Sequence, residues 1–335
     1  MRNKNFLLII ISIVSVITYL SIFLVSQWQV IQYSLSDPNR APYVFQMIGQ
    51  IVLRRTMHIV AFLIVGVIIS FTTLIFQTLT QNKILTPSLL GFESIYAVTQ
   101  TTIVFFMGSI SPLLINLQLN FMVSVLLMMG VTLLMYQFVL KKNKNNIILL
   151  LLIGMVLSTL AQNYASFLQV LMHPEEFQTV ASLTSVSITN IEVNLIFWVL
   201  PIVVISMIYL YRKHYTYDVM QLGEVYAKNL GINYSKETYT SLIFVSLLTA
   251  ISTALVGPLS FLGLLSVNLA REFTKKYQHK HLFFTSSIIS IIFLALGQSI
   301  IELTGFVTTV TTFISIVGGS YMIYLIVKEH KIWLN

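Results

Sequence analysis

The chain of 335 residues contains no cysteine. Disulfides, thiolate metal ligands and thiol nucleophiles are therefore excluded. Charge is scarce as well. Asp, Glu, Lys and Arg make up 9% of the residues, where a soluble domain carries about 25%. That is too little to wet the surface of a soluble body of this length. No G-x-x-x-x-G-K-[ST] loop occurs, so the chain has no phosphate-cradling loop of its own for ATP. His58, His173, His214, His279, His281 and His330 lie near the ends of apolar segments, without metal-ligand spacing. Paired carboxylates placed for acid–base chemistry are also missing. Glu175-Glu176 reads as a solvated pair in a loop.

What the sequence does have is apolar mass: 56% of residues are hydrophobic and the mean hydropathy is +0.86. The apolar residues come in runs of about 20, the length that crosses roughly 30 Å of hydrocarbon. Ten such segments are expected, near 6–26, 57–78, 89–108, 118–140, 147–171, 193–211, 238–257, 259–271, 282–301 and 308–327. The fold class is thus an all-α polytopic membrane protein of a single domain, 1–335. The eighth segment opens with Gly257-Pro258 and is too short to cross alone, so a half helix packed inside the bundle is expected.

The charges test this map. With a cytoplasmic N-terminus, 16 of the 19 basic residues fall inside and only Arg40, Arg54 and Arg55 fall outside. Acidic residues show no such bias, which is the pattern of the positive-inside rule. The net charge of +8 is a topology signal, and a nucleic-acid partner is not expected. The spans themselves are nearly free of ionisable groups. A self-sufficient secondary transporter needs such groups at mid-membrane depth, and an intramembrane enzyme needs a catalytic constellation that is not there. Glu93, near the start of the third span, is the closest exception. It reads either as a first-turn carboxylate favoured by the helix dipole or as a passage residue.

The long inside loop 212–237 carries two short amphipathic helices broken at Gly223 and ended at Gly231. Val219, Met220 and Leu222, then Val225, Tyr226 and Leu230, mark one side of them. Such helices suit docking into a partner's groove, or alternatively the lipid interface.

Here a family resemblance becomes visible. Leu222-Gly-Glu-Val-Tyr-Ala-Lys-Asn-Leu-Gly231 resembles the L-G-x-x-x-A-x-x-L-G coupling loop of the iron-siderophore and cobalamin permeases of bacterial type II ABC importers. Gly257-Pro-Leu-Ser-Phe-Leu-Gly-Leu-Leu-Ser-Val-Asn-Leu-Ala-Arg271 is similar to that family's G-P-I-G-F-V-G-L-x-x-P-H-x-x-R. Gly66 and Gln77 match its V-G-x(10)-Q, followed by Asn82 and Pro87-Ser-Leu-Leu-Gly91. Gly154-Met-Val-Leu-Ser158 and Pro174-Glu-Glu176 match its middle. Departures are Val267-Asn268 in place of P-H, Gly318-Gly319-Ser320 in place of G-A-P, and a missing E-L-P-x-G. Ser88-Leu-Leu-Gly91 and Ser260-Phe-Leu-Gly263 also echo one another, as two inverted five-helix repeats, 1–190 and 191–335, would require.

The resemblance implies a multi-pass permease of the cell membrane, not an enzyme and with no cofactor of its own, importing an iron-siderophore; haem and cobalamin are the alternatives. The expected partners are two ATPase subunits carrying ATP and Mg, an external substrate-binding lipoprotein, and a second permease chain. The departures favour a heterodimer. It further implies Gly223, Glu224, Ala227, Leu230 and Gly231 as coupling residues, and Asn82 and Ile84 as a cytoplasmic gate with Lys141–Lys144 beside it. Ser158, Thr159, Gln162, Asn163 and Ser166 would line the passage, or act as hydrogen-bonding glue between helices. Arg55 and His58 fall where the family docks its binding protein; for Arg54 and Arg55, snorkelling to headgroups is the other reading. Lys outnumbers Arg and Ile is abundant, pointing to a low-GC Gram-positive bacterium.

Overall fold

The structure, a computed structural model, describes residues 2–26, 28–35, 41–142, 147–185, 193–305 and 308–333. Among these all regular structure is helical. The order is α1 (Arg2–Ser26), α2 (Trp28–Leu35), α3 (Ala41–Leu79), a 3-10 turn at Pro87–Leu90, α4 (Phe92–Met107), α5 (Pro112–Ile115), α6 (Leu117–Lys142) and α7 (Ile147–Leu171). There follow α8 (Pro174–Thr184), α9 (Val193–Arg212), α10 (His214–Met220), α11 (Glu224–Asn229), α12 (Tyr234–Val256), α13 (Ser260–Thr274), α14 (His279–Leu303) and α15 (Val310–Trp333). Asp37, Arg40, Lys144 and Glu192 lie outside the described residues, as does the 190/191 boundary between the expected halves.

Seven helices among the described residues are long and apolar enough to cross a membrane: α3, α6, α7, α9, α12, α14 and α15. The count of about ten spans adds the apolar stretch Phe6–Ile22 of α1 and the two shorter helices α4 and α13, of 16 and 15 residues. At about 1.5 Å per residue, α13 is only about 22 Å long, the half helix expected after Gly257-Pro258. It is buried through Leu262–Asn268, packed against α3, α14 and α15.

The centre is built from α3, α12, α13 and α14, while α7 and α15 lie at the periphery. Close approach fixes the crossing of α13 on α3. A Cβ at Gly263 would stand 2.0 Å from Thr73 Oγ1, so this contact admits only glycine. Ser70 and Ser290 hydroxyls meet at 2.7 Å across α3 and α14, while Ser70 also donates to the Gly66 carbonyl at 2.8 Å, a polar tie between helices inside the bundle.

Two local readings are corrected. The second helix begins at Ala41, not near 57. Its 39 residues span about 58 Å, more than the roughly 40–45 Å of a whole bilayer. The loop holding Glu175-Glu176 is helix α8. Pro174 occupies its first turn, and Glu176 Oε2 accepts the His173 backbone N–H at 3.2 Å, so this carboxylate caps a helix.

Candidate functional site

The loop 212–237 folds as two short helices with different attachments. Helix α10 is stapled to three others. Its Asp218 accepts from the backbone N–H and the ring Nδ1 of His279 on α14, each at 2.7 Å. The Met220 carbonyl accepts from Gln81 Nε2 at 2.9 Å, just past the end of α3. Tyr217 and Ser241 on α12 share a hydrogen bond at 3.0 Å. Burial alone would raise the Asp218 carboxyl, but the hydrogen bonds from His279 outweigh it and hold the group below its ordinary range. Where α9 gives way to α10, Lys213 lies 2.5 Å from Glu237 on α12. Burial would lower this ammonium, yet its bonds to Glu237 and Tyr209 hold it above its ordinary value.

Helix α11 is attached by one buried residue, Ala227, and turns its apolar side chains outward. Leu222, Val225, Tyr226 and Leu230 are 58–70% exposed. Four large apolar groups on one tip form the kind of patch that marks an interaction surface. Gly223 and Gly231 bracket α11 with φ of +99° and +85°, and open space surrounds both. Backbone conformation, not crowding, demands glycine there. Glu224 pairs with Lys228 at 2.6 Å along the helix, an exposed pair of small energetic weight.

Three residues from the two ends of the chain clamp the loop at 82–84. Gln77 Nε2 and Asn268 Nδ2 both donate to the Lys83 carbonyl, at 2.6 and 3.0 Å. Arg271 donates to Gln77 Oε1 at 2.5 Å and to Asn268 Oδ1 at 3.1 Å. Asn82 Oδ1 accepts the Ile84 N–H at 2.9 Å, closing a tight Asx turn. Gln77, Asn82 and Arg271 were legible as motif residues; Asn268 was legible only as a departure, and here it completes the clamp.

On α7 the expected passage residues divide. Ser158 is half-buried; its hydroxyl donates to the Gly154 carbonyl at 2.7 Å and packs against Gly91. Thr159, Gln162, Asn163 and Ser166 are exposed. Among the described residues none hydrogen-bonds the side chains of Gln162, Asn163 or Ser166. Polar groups aimed at hydrocarbon without partners cost several kcal/mol. Among the described residues these three side chains do not serve as glue between helices of this chain.

Arg55 and His58, expected at the rim as docking contacts, are turned inward. Because α3 runs through them, residues 55, 58 and 62 share one face by helical spacing. Arg55 is 8% exposed, paired with Glu302 on α14 and donating to the Tyr19 carbonyl at 2.6 Å. His58 Nδ1 and the Tyr19 hydroxyl are 2.7 Å apart, and Tyr19 stacks edge-on against Phe62. Arg54 is the exposed member of the arginine pair. Sequence reasoning missed Gln81, Asp218, His279 and Glu302 as site residues; their partners lie 61 to 247 positions away, and no local signal joins them.

With this geometry in view, comparison with known proteins is informative. The FecCD transport family matches residues 7–328. The petrobactin import system permease protein YclO of Bacillus subtilis is 45% identical over 84% of this chain and 89% of that protein. The petrobactin import system permease protein FatC of Bacillus anthracis is 32% identical over 80% and 74%. A solved structure assigned to a metal-chelate type ABC transporter, in an inward-facing conformation, superposes with a TM-score of 0.78 at 19% identity, over 98% of this chain and 99% of that one. That likeness concerns the fold.

Proposed function

The chain belongs to the FecCD transport family, and from that premise we propose that it is the membrane passage of an ATP-driven importer for an iron-siderophore, with petrobactin the first candidate. The observation that carries the substrate class is the 45% identity to a petrobactin import permease. Haem and cobalamin are the alternatives, and the relatives named above speak for an iron chelate. A low-GC Gram-positive host fits the Bacillus relatives.

In this reading the exposed Leu222, Val225, Tyr226 and Leu230 dock into a groove of a partner ATPase, which supplies ATP and Mg. Movement of α11 passes to α10 through the Gly223 turn. From α10 it reaches α14, α12 and the end of α3 through Asp218, Tyr217 and Met220. The clamp at Lys83 then opens or closes the cytoplasmic mouth at Asn82 and Ile84. The exposed polar face of α7 lines the passage, shared with a second permease chain. Relaxed motifs at Val267-Asn268 and Gly318-Gly319-Ser320 favour a different second chain over a copy of this one. Docking of an external binding protein by Arg55 and His58 requires the Glu302 pair to open.

The test is reconstitution in liposomes. The chain alone should hydrolyse no ATP. With its permease partner, two ATPases and the binding protein it should take up ferric petrobactin only when ATP is present. Uptake by the lone chain driven by a proton or sodium gradient would establish the rival class, a self-sufficient secondary transporter.

A further inference from the structure

Four acidic side chains in the described residues pair with a base: Glu302 with Arg55, Asp218 with His279, Glu237 with Lys213 and Glu224 with Lys228. Glu93 is different. It stands in the first turn of α4, within the apolar body, and its side-chain partners are hydroxyls: Ser260, donating to Oε1 at 2.5 Å, and Ser88. It faces a cavity between the 3-10 turn, α3, α12 and α13, whose lining contains no Lys, Arg or His. A carboxylate inside a membrane protein that is answered only by hydroxyls and the N-terminal end of its own helix is costly and marks a site.

Seven residues of the cavity lining carry hydroxyls, among them Thr253 and Thr249; Ile69, Pro87 and Leu259 line it as well. The Thr249 hydroxyl is buried and has no hydrogen-bond partner among the described residues. Helix α12 ends beside it. Gly257 lies in the left-handed region, at φ +92°, and Pro258 has no N–H to give, so the carbonyl end of α12 and its negative dipole abut the cavity. Broken helices offer cations this combination of carbonyl end and side-chain oxygen. The cavity has about 20 Å³ of room for the centre of a water-sized particle, enough for one occupant.

We propose that this cavity binds one small monovalent cation, with the Glu93 carboxylate as counter-charge and the Thr249 hydroxyl among its oxygen ligands. One positive charge neutralises the single carboxylate; a divalent ion would leave an uncompensated charge in a low-dielectric site. The cation is a structural brace. It joins the Ser88-Leu-Leu-Gly91 turn to the echoing Ser260-Phe-Leu-Gly263 turn, and so the front of the chain to its back, at the point where α12 breaks into α13. No ion gradient is needed for this role.

The full-length chain in lipid nanodiscs is unfolded thermally in sodium, potassium, lithium or choline chloride at equal ionic strength. The midpoint should rise saturably in at least one alkali salt relative to choline. In Glu93→Gln that response should vanish, and in Thr249→Val it should need at least tenfold more salt. Equal midpoints in all four salts would overturn the proposal. So would an undiminished response in Glu93→Gln, which is what a permanently protonated carboxyl predicts. If Glu93→Gln does not insert, the wild-type series and Thr249→Val decide. Unfolding requires no transport, so the result stands apart from the importer reading.

Discussion

His279 donates twice to the Asp218 carboxylate, from its backbone N–H and from its ring, at 2.7 Å each. The other ring nitrogen meets the Thr78 hydroxyl, also at 2.7 Å. One imidazole thus binds α10 to α14 and to α3, leaving little slack between the docking tip and the clamp at Lys83. Removing the ring should cut the linkage without touching the exposed patch. His279→Ala is expected to retain the ATPases on co-purification while chelate imported per ATP hydrolysed falls at least tenfold.

The acid dependence of that link follows from the depressed Asp218 pKa. A carboxyl whose native pKa lies below its unfolded value stabilises the fold above the unfolded value, and the contribution disappears as pH falls through the native one. The ordinary value is 3.8, so this group should hold α10 in place throughout the neutral range and release it only at lower pH. Hydrogen exchange of the α10 amides on acid titration is the measurement. Asp218→Asn should remove that acid step.

The apolar tip of α11 should carry most of the ATPase affinity. Tyr226→Ala and Leu222→Ala are each expected to weaken ATPase retention about tenfold, since large side chains at such patches cost roughly 1–2 kcal/mol or more when truncated. Gly231→Trp adds backbone strain of about 1–2 kcal/mol at a positive φ, and Glu224→Arg reverses the charge at the start of α11. Both should release the ATPases yet leave insertion intact, as read by co-purification and size exclusion.

Arg55 and Glu302 should behave as a buried pair. Leaving one charge without the other costs about 3–5 kcal/mol, whereas replacing both with apolar groups is close to neutral. Arg55→Met alone should lower the unfolding midpoint in detergent markedly, and Arg55→Met combined with Glu302→Leu should restore most of it. If Arg55 were instead a free rim contact, the single change would leave the midpoint unmoved.

The clamp on Lys83 predicts a leak. Asn268→Val removes one of two donors to the Lys83 carbonyl and the acceptor that helps hold Arg271. Passage of a small fluorescent solute across liposomes holding the assembled transporter should rise several-fold in the absence of ATP. Asn268→Gln should restore part of the seal.

Much of this architecture is legible in the sequence. Long apolar runs with lysine-rich inside loops gave the spans, because both signals are local and the bilayer enforces them. Gly257-Pro258 announced the half helix for the same reason: a missing N–H is visible in the sequence. The start of α3 was not legible. Gln46, Gln50, Arg54 and Arg55 dilute the hydropathy of residues 41–56, yet none of them breaks a helix, so the run ended while the helix did not. The inward turn of Arg55 was hidden by distance, since Glu302 lies 247 positions later. For α7, Ser158, Thr159, Gln162, Asn163 and Ser166 read equally as passage or as glue; the fold packs half-buried Ser158 against Gly91 and leaves the other four exposed.

That same 247-residue interval has a temporal meaning. Ribosomes add about 5–20 residues per second, so Arg55 is made roughly 12–50 s before the carboxylate that neutralises it. For that interval the guanidinium in α3 can reach the Tyr19 carbonyl but not its carboxylate. The last turn of α14 then closes its contact with α3, and a nascent chain truncated before Glu302 never does. The pair is an electrostatic seal between an early helix, α3, and a late one, α14, set while α15 is still to follow.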